Sequence, residues 1–116
     1  MAGEPALLHL IRSGGEPGDE VAERILDAAL DRFSTYGVRR TSVEDIARAV
    51  DVNRVTVYRR FSSKQALLQA VVARETRRFF AALDAATRDE PDPRERFVEA
   101  FALGVAMSRE HPLLTR

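Results

Sequence analysis

The sequence predicts an all-α fold, and three observations carry that prediction. Apolar residues recur at three- and four-residue spacing along most of the chain, the period of one helix face. The runs are bounded by Ser, Thr, Asn, Gly and Pro, which cap or break helices. The longest run, from Leu67 to Ala86, contains neither Gly nor Pro, so one helix is long enough to act as a rod.

Taken in order, residues 1–20 read as a flexible N-terminal arm, because Pro5, Gly14-Gly15, Pro17 and Gly18 fit no regular element. Leu7, Leu8, Leu10 and Ile11 offer it at most one amphipathic turn. A first helix is expected over about 19–36, with Val21, Ile25, Leu26, Ala29, Leu30 and Phe33 inward and Glu20, Glu23, Arg24, Asp27, Asp31 and Arg32 outward. Gly37 ends it as a residue able to take positive φ. Thr41 with Glu44 makes a capping-box pattern for a second helix, and Ser42 with Asp45 a weaker one. Both acids therefore have a structural explanation, and a functional role for Glu44 is the less favoured reading. Val43, Ile46, Ala47 and Val50 face inward on this short helix, as do Val57 and Phe61 after the next turn.

Asn53 caps the third helix, and Ser62 or Ser63 caps the fourth. The fourth presents Leu67, Leu68, Val71, Val72, Phe79, Phe80 and Leu83 as one apolar stripe, expected to pack first on the first helix. TRDEPD, from Thr87 to Asp92, is a polar break. Pro93 suits the first turn of a fifth helix carrying Phe97, Val98, Phe101, Ala102, Val105 and Met107. Gly104 lies inside that helix at a cost of roughly 1 kcal/mol relative to Ala, a cost that close packing would explain.

Composition excludes several classes. At 116 residues, 45% hydrophobic and 31% charged, the chain suits one globular domain with a modest core. It contains no Cys, which removes disulfides, thiolate metal sites and Cys nucleophiles and fits a reducing compartment. No stretch approaches the roughly 18 uninterrupted apolar residues of a membrane span. Ala6–Ile11 is too short for a secretory segment and has no basic residue before it, so a cytoplasmic location is expected. His9 and His111 lie in opposite terminal segments, and no catalytic constellation, metal-ligand spacing or glycine-rich phosphate loop is present. No enzyme activity and no cofactor are expected.

The third helix carries the chemistry. With Val57 inward and ~100° per residue, Val55 and Arg59 fall nearly opposite it, with Thr56 and Tyr58 on the flanks. A methyl group, a hydroxyl, a phenol and a guanidinium are the groups that read thymine methyls, base edges and phosphates. Between Val38 and Arg77 nine bases stand against four acids, a local +5 in a chain of zero formal net charge. Positive charge gathered around one helix-turn-helix is the footprint of a phosphate-binding surface. The arm adds little to it, since its one base is Arg12.

From Ile25 to about Leu68 the chain resembles the DNA-binding domain of the tetracycline-repressor (TetR) family of bacterial transcriptional regulators. Phe33, Gly37, Thr41, Asp45-Ile46-Ala47, Val52, Tyr58, Phe61, Lys64 and Leu67-Leu68 carry the resemblance in order across three helices. One departure is Asp51, in a turn where members often have Gly. Asp tolerates the left-handed conformation at roughly 1 kcal/mol, so the turn should survive. The resemblance implies a three-helix, homeodomain-like helix-turn-helix domain over 21–66. Residues 67–116 would then hold the connecting helix and about the first third of a helical ligand-binding and dimerisation domain.

It further implies that Tyr58 and Lys64 contact the DNA backbone, a role that the flanking phenol and the amides opening the fourth helix also suit. Thr41 and Ser42 can do the same at the start of the second helix. Arg54, Val55 and Thr56, in the first turn of the third, are placed for base edges, Arg59 for either role, and Arg60 adds charge. The implied partners are a palindromic double-stranded operator, a second copy of the full-length protein, and a small-molecule effector. Within this chain Phe97, Phe101, Val105 and Met107 are the residues expected to line an effector pocket, with ordinary core packing the plainer reading of each. The competing function is a helical protein-protein interaction module whose arginines are merely solvated.

Overall fold

The structure, a computed structural model, describes residues 19–114. Its regular elements are α1 (Glu20–Tyr36), α2 (Val43–Ala49), α3 (Arg54–Arg60), α4 (Lys64–Thr87) and α5 (Pro93–Glu110). The chain is all-α over the described residues, as expected. Apart from Asp19 and Glu20, the arm expected over 1–20 lies outside them.

Local chemistry sets each boundary. The Asp19 carboxylate caps α1 by accepting from the Ala22 N–H at 3.1 Å. Gly37 closes it at φ 90°, its N–H donating to the Phe33 carbonyl at 3.1 Å. Helix α2 is held by a reciprocal capping box of Ser42 and Asp45, with hydrogen bonds of 3.0 and 3.1 Å. The stronger-looking pattern, Thr41 with Glu44, is not the one used. Thr41 is buried, and its hydroxyl is directed back to the Gly37 carbonyl at 2.9 Å, so the cap passes to the next residue. Asp51 makes the left-handed turn at φ 58°. Asn53 then caps α3 through the Thr56 N–H at 2.9 Å, and Ser63 caps α4 through the Ala66 N–H at 3.0 Å.

The chain forms two compact units that meet within α4, between Arg74 and Glu75. This lies beyond the residue-66 boundary that the motif alone suggests, because the buried residues Leu67 and Val71 belong to the first unit. In that unit α1, α2 and α3 pack on one another around Ile25, Ala29, Ile46 and Val57, each wholly buried. Every large aliphatic side chain buried there contributes about 1.5–3 kcal/mol. Helix α4 is tied in by two cations. The Lys64 ammonium donates to the carbonyls of Val38 and Thr41 at 3.0 and 3.1 Å, and buried Arg74 reaches Asp27 at 2.8 Å and the Glu23 carboxylate at 3.1 Å.

In the second unit a Cβ placed on Gly104 would meet Phe79 and Leu83 at 3.7 Å, an ordinary contact. The close packing expected at this glycine is therefore absent, since a methyl group fits. Asp84 accepts from Arg88 at 2.8 Å and from Arg96 at 2.6 Å, ion pairs that hold its carboxyl below the usual range. His111 accepts at Nδ1 from the Leu113 N–H, so Nε2 carries the hydrogen that faces Glu75 at 3.2 Å. Asp92 caps α5, with Pro93 in its first turn, and no residue of α5 is buried.

Candidate nucleic-acid interface

Helix α3 buries one residue, Val57, and leaves the rest of its circumference to solvent or partial cover. Helix α2, of the same seven residues in length, buries Val43, Ile46 and Ala47, whereas α3 buries Val57 and leaves its other faces available. Val55 is 53% exposed and Tyr58 40%, and Arg59 is exposed on the other side of Val55. The chemistry read from the helical period is thus assembled on one open surface.

The other expected residues divide by what they already hold. Arg54, at the start of α3, donates from Nη1 to the Glu44 carboxylate at 3.1 Å and lies 5.9 Å from the Tyr58 ring centroid. The Thr56 hydroxyl donates to Asn53 Oδ1 at 3.1 Å, which leaves its lone pairs to accept. Ser42 Oγ accepts from the Asp45 N–H, and its hydroxyl is also engaged by the Asp45 carboxylate, whose pKa is lowered by the Ser42 N–H and hydroxyl together. Arg60 donates from Nε to Asp19 at 3.2 Å, tying the end of α3 to the cap of α1. The Asp19 carboxyl is held below its usual range, first by the Ala22 N–H and further by Arg60. Two of the three Lys64 N–H groups are taken by backbone carbonyls, leaving one to point elsewhere.

Two residues depart from expectation. Thr41, grouped with the DNA-contacting hydroxyls, is 2% exposed and directed inward, so in this conformation it shapes the loop rather than the surface. Arg74, counted in the local positive charge, is equally buried and pairs with acids of α1, so it supports the core and not the footprint. Arg39 and Arg40 in the loop before α2, and Arg48 on α2, are exposed and keep the region basic. The Arg54–Glu44 pair was not legible from spacing, since the two lie on different helices. Phe97, Phe101 and Val105 follow one another at four-residue intervals on α5 and are 70%, 65% and 39% exposed, while Met107 is half-buried. The two phenyl rings stack with centroids 6.4 Å apart.

Neither a membrane-spanning helix nor a cluster of three His, Cys, Asp or Glu able to hold a metal occurs among the described residues.

Comparison with known proteins agrees with this geometry. Residues 25–71 match the family described as bacterial regulatory proteins, tetR family. An uncharacterized HTH-type transcriptional regulator of Mycobacterium tuberculosis is 37% identical over 93 residues, covering 80% of this chain and 46% of its own. The HTH-type transcriptional regulator RutR of Escherichia coli is 35% identical over 92 residues, 79% of this chain and 43% of its own. SrpR of Pseudomonas putida, another HTH-type transcriptional regulator, is 39% identical over 64 residues, 55% of this chain and 30% of its own. The chain thus spans less than half the length of these relatives, and no solved structure matches it. The matched segment runs from α1 into α4 and contains the whole helix-turn-helix, so residues 25–71 form a domain of the tetR family of bacterial regulatory proteins.

Proposed function

We propose that this chain carries the DNA-reading end of a sequence-specific transcriptional regulator, a ligand-responsive repressor in its full-length form. The observation behind this reading is α3 itself, a helix that buries Val57 and exposes Val55, Tyr58 and Arg59. A helix so held can enter a major groove without unpacking the domain. Val55 and Arg54 take base edges and Thr56 accepts from them. Tyr58 and the remaining Lys64 N–H take phosphates, Arg59 serves either, and Arg60 adds charge at the edge. Cofactors and catalysis have no part in this mechanism.

One short helix reads only a few base pairs, which favours a homodimer on a palindromic operator. The family resemblance supports a small effector that acts beyond α4, with Phe97, Phe101, Val105 and Met107 on its side of the chain. A regulator of this kind works where the chromosome is, in the cytoplasm. The alternative, a protein-protein module, has only the exposed face of α5 in its favour.

Binding of the full chain to duplexes selected from a random pool, against unselected DNA, tests the proposal. The selected sequence should bind at least tenfold more tightly, and log affinity should fall steeply with log salt, roughly one unit of slope per phosphate contact. Equal, salt-insensitive affinity for both would overturn it.

A further inference from the structure

The Glu44 carboxylate suits the first turn of α2, yet it also stands beside an arginine on the surface proposed to face DNA. Glu44 lies in the first turn of α2 and Arg54 at the first position of α3. Their side chains meet at 3.1 Å with 45% and 65% of each exposed, across an open depression of about 350 Å³ also lined by Arg48 and Asp51. The guanidinium thus has one close partner and one ring within cation–π range. Glu44 takes one Nη1 hydrogen, and Arg54 Cζ lies over the Tyr58 ring, 5.9 Å from its centroid. Among the described residues the remaining Arg54 donors meet no protein acceptor.

An exposed ion pair of this kind adds little to stability, because water screens it and two long side chains lose freedom in forming it. It changes what the arginine can do. A guanidinium presents donors as a fork that matches the O6 and N7 acceptors of guanine. An unrestrained arginine beside DNA instead turns to the nearest phosphate, which raises affinity for every sequence alike. A carboxylate that fixes the fork, and repels phosphate from its own side, keeps the donors for a base edge.

We propose that Glu44 is a positioning residue that sets base specificity through Arg54, holding its guanidinium for a guanine and away from the phosphates. This rests on the DNA-reading function proposed above and deepens it. Glu44 by itself would accept from a cytosine amino group, so direct reading is the rival role to be separated.

The test uses the full chain and duplexes selected from a random pool, with each base pair of the preferred sequence then varied. Arg54→Ala should erase a guanine preference at one position. Glu44→Gln, a change on an exposed side chain that should leave the circular-dichroism melting curve in place, should reduce that same preference by about tenfold. It should also hold or raise affinity for unselected DNA and steepen the salt slope by about one as Arg54 turns to a phosphate. Adding Glu44→Gln to Arg54→Ala should change base preference no further. Glu44→Gln with guanine preference intact would overturn the proposal, as would an equal loss of preference when Arg54 is already Ala, which would make Glu44 a direct reader. If the unaltered chain binds all duplexes alike, the DNA-reading function fails first, and the two failures are told apart by that control.

Discussion

At Asp51 the backbone turns at a φ of 58°, a conformation that glycine adopts without strain and most residues do not. Asp and Asn, with short polar side chains, adopt it more readily than other residues that carry a Cβ. Replacing Asp51 by Gly removes the strain that remains but restores freedom to the unfolded chain, worth about 0.4–1 kcal/mol the other way. Asp51→Gly should therefore leave the urea midpoint nearly unchanged, whereas Asp51→Val, β-branched and without a polar tip, should destabilise by about 1–2 kcal/mol. Lys64 illustrates a residue with two roles. Its ammonium satisfies two loop carbonyls, so Lys64→Ala should cost about 1–3 kcal/mol in urea denaturation. In binding experiments on folded protein the same variant should weaken all DNA sequences equally and reduce the salt slope by roughly one. A change in sequence preference would make Lys64 a reader and not an anchor.

Helix α4 is held to α1 by a buried cation, and its chemistry decides how replacement behaves. Arg74 is 2% exposed while its partners Glu23 and Asp27 are 41% and 64% exposed, so the acids can turn to water if the arginine goes. The loss on truncation is then mainly packing: Arg74→Ala should cost about 2–4 kcal/mol. Arg74→Met keeps much of the volume and should cost far less, because a buried ion pair gains little over a well-packed apolar group. Equal losses in thermal denaturation for both variants would show that charge, not volume, holds the helix. In α5, Gly104 has room for a methyl group against Phe79 and Leu83. Gly104→Ala should raise stability by about 0.5–1 kcal/mol, and a fall in the melting temperature would mean that the space is needed.

Across the molecule, three aspartates share one pattern, with carboxyl pKa values held below the ordinary 3.8. Asp19 and Asp45 are lowered first by backbone N–H groups at the caps of α1 and α2, and Asp84 by Arg88. A carboxylate favoured in the folded state contributes stability that is complete above its unfolded pKa and lost as pH falls through the lower folded value. Urea stability should thus stay level from neutral pH to about 5 and decline below about 4. A chain with Asp19, Asp45 and Asp84 all changed to Asn should show a shallower decline. An unchanged pH profile would place the acid sensitivity in other groups. Exposed arginines also occur beyond the helix-turn-helix, at Arg78, Arg88, Arg94 and Arg109 on α4 and α5, but Arg39, Arg40, Arg48, Arg54, Arg59 and Arg60 gather in and beside α2 and α3.

The sequence by itself determined the helices and their ends, because those depend on neighbours within four residues. Gly37, Asn53 and Pro93 each stand where the observed boundary falls, and Asp51 turns the chain as its place between two apolar runs requires. The open face of α3 was legible for the same reason, since Val57 alone fixes which side is buried. Only the tertiary structure decided what the long and polar side chains do. Arg74 reads as surface charge but finds Glu23, fifty-one residues away, and goes inside. Thr41 loses its cap to Ser42 because a carbonyl of the preceding loop lies nearer to its hydroxyl. Glu44 and Arg54 meet across the turn between two helices, a pairing that spacing along either helix does not contain. An apolar stripe has one way to leave water, whereas a flexible charged side chain has several partners within reach, and packing of distant segments chooses among them.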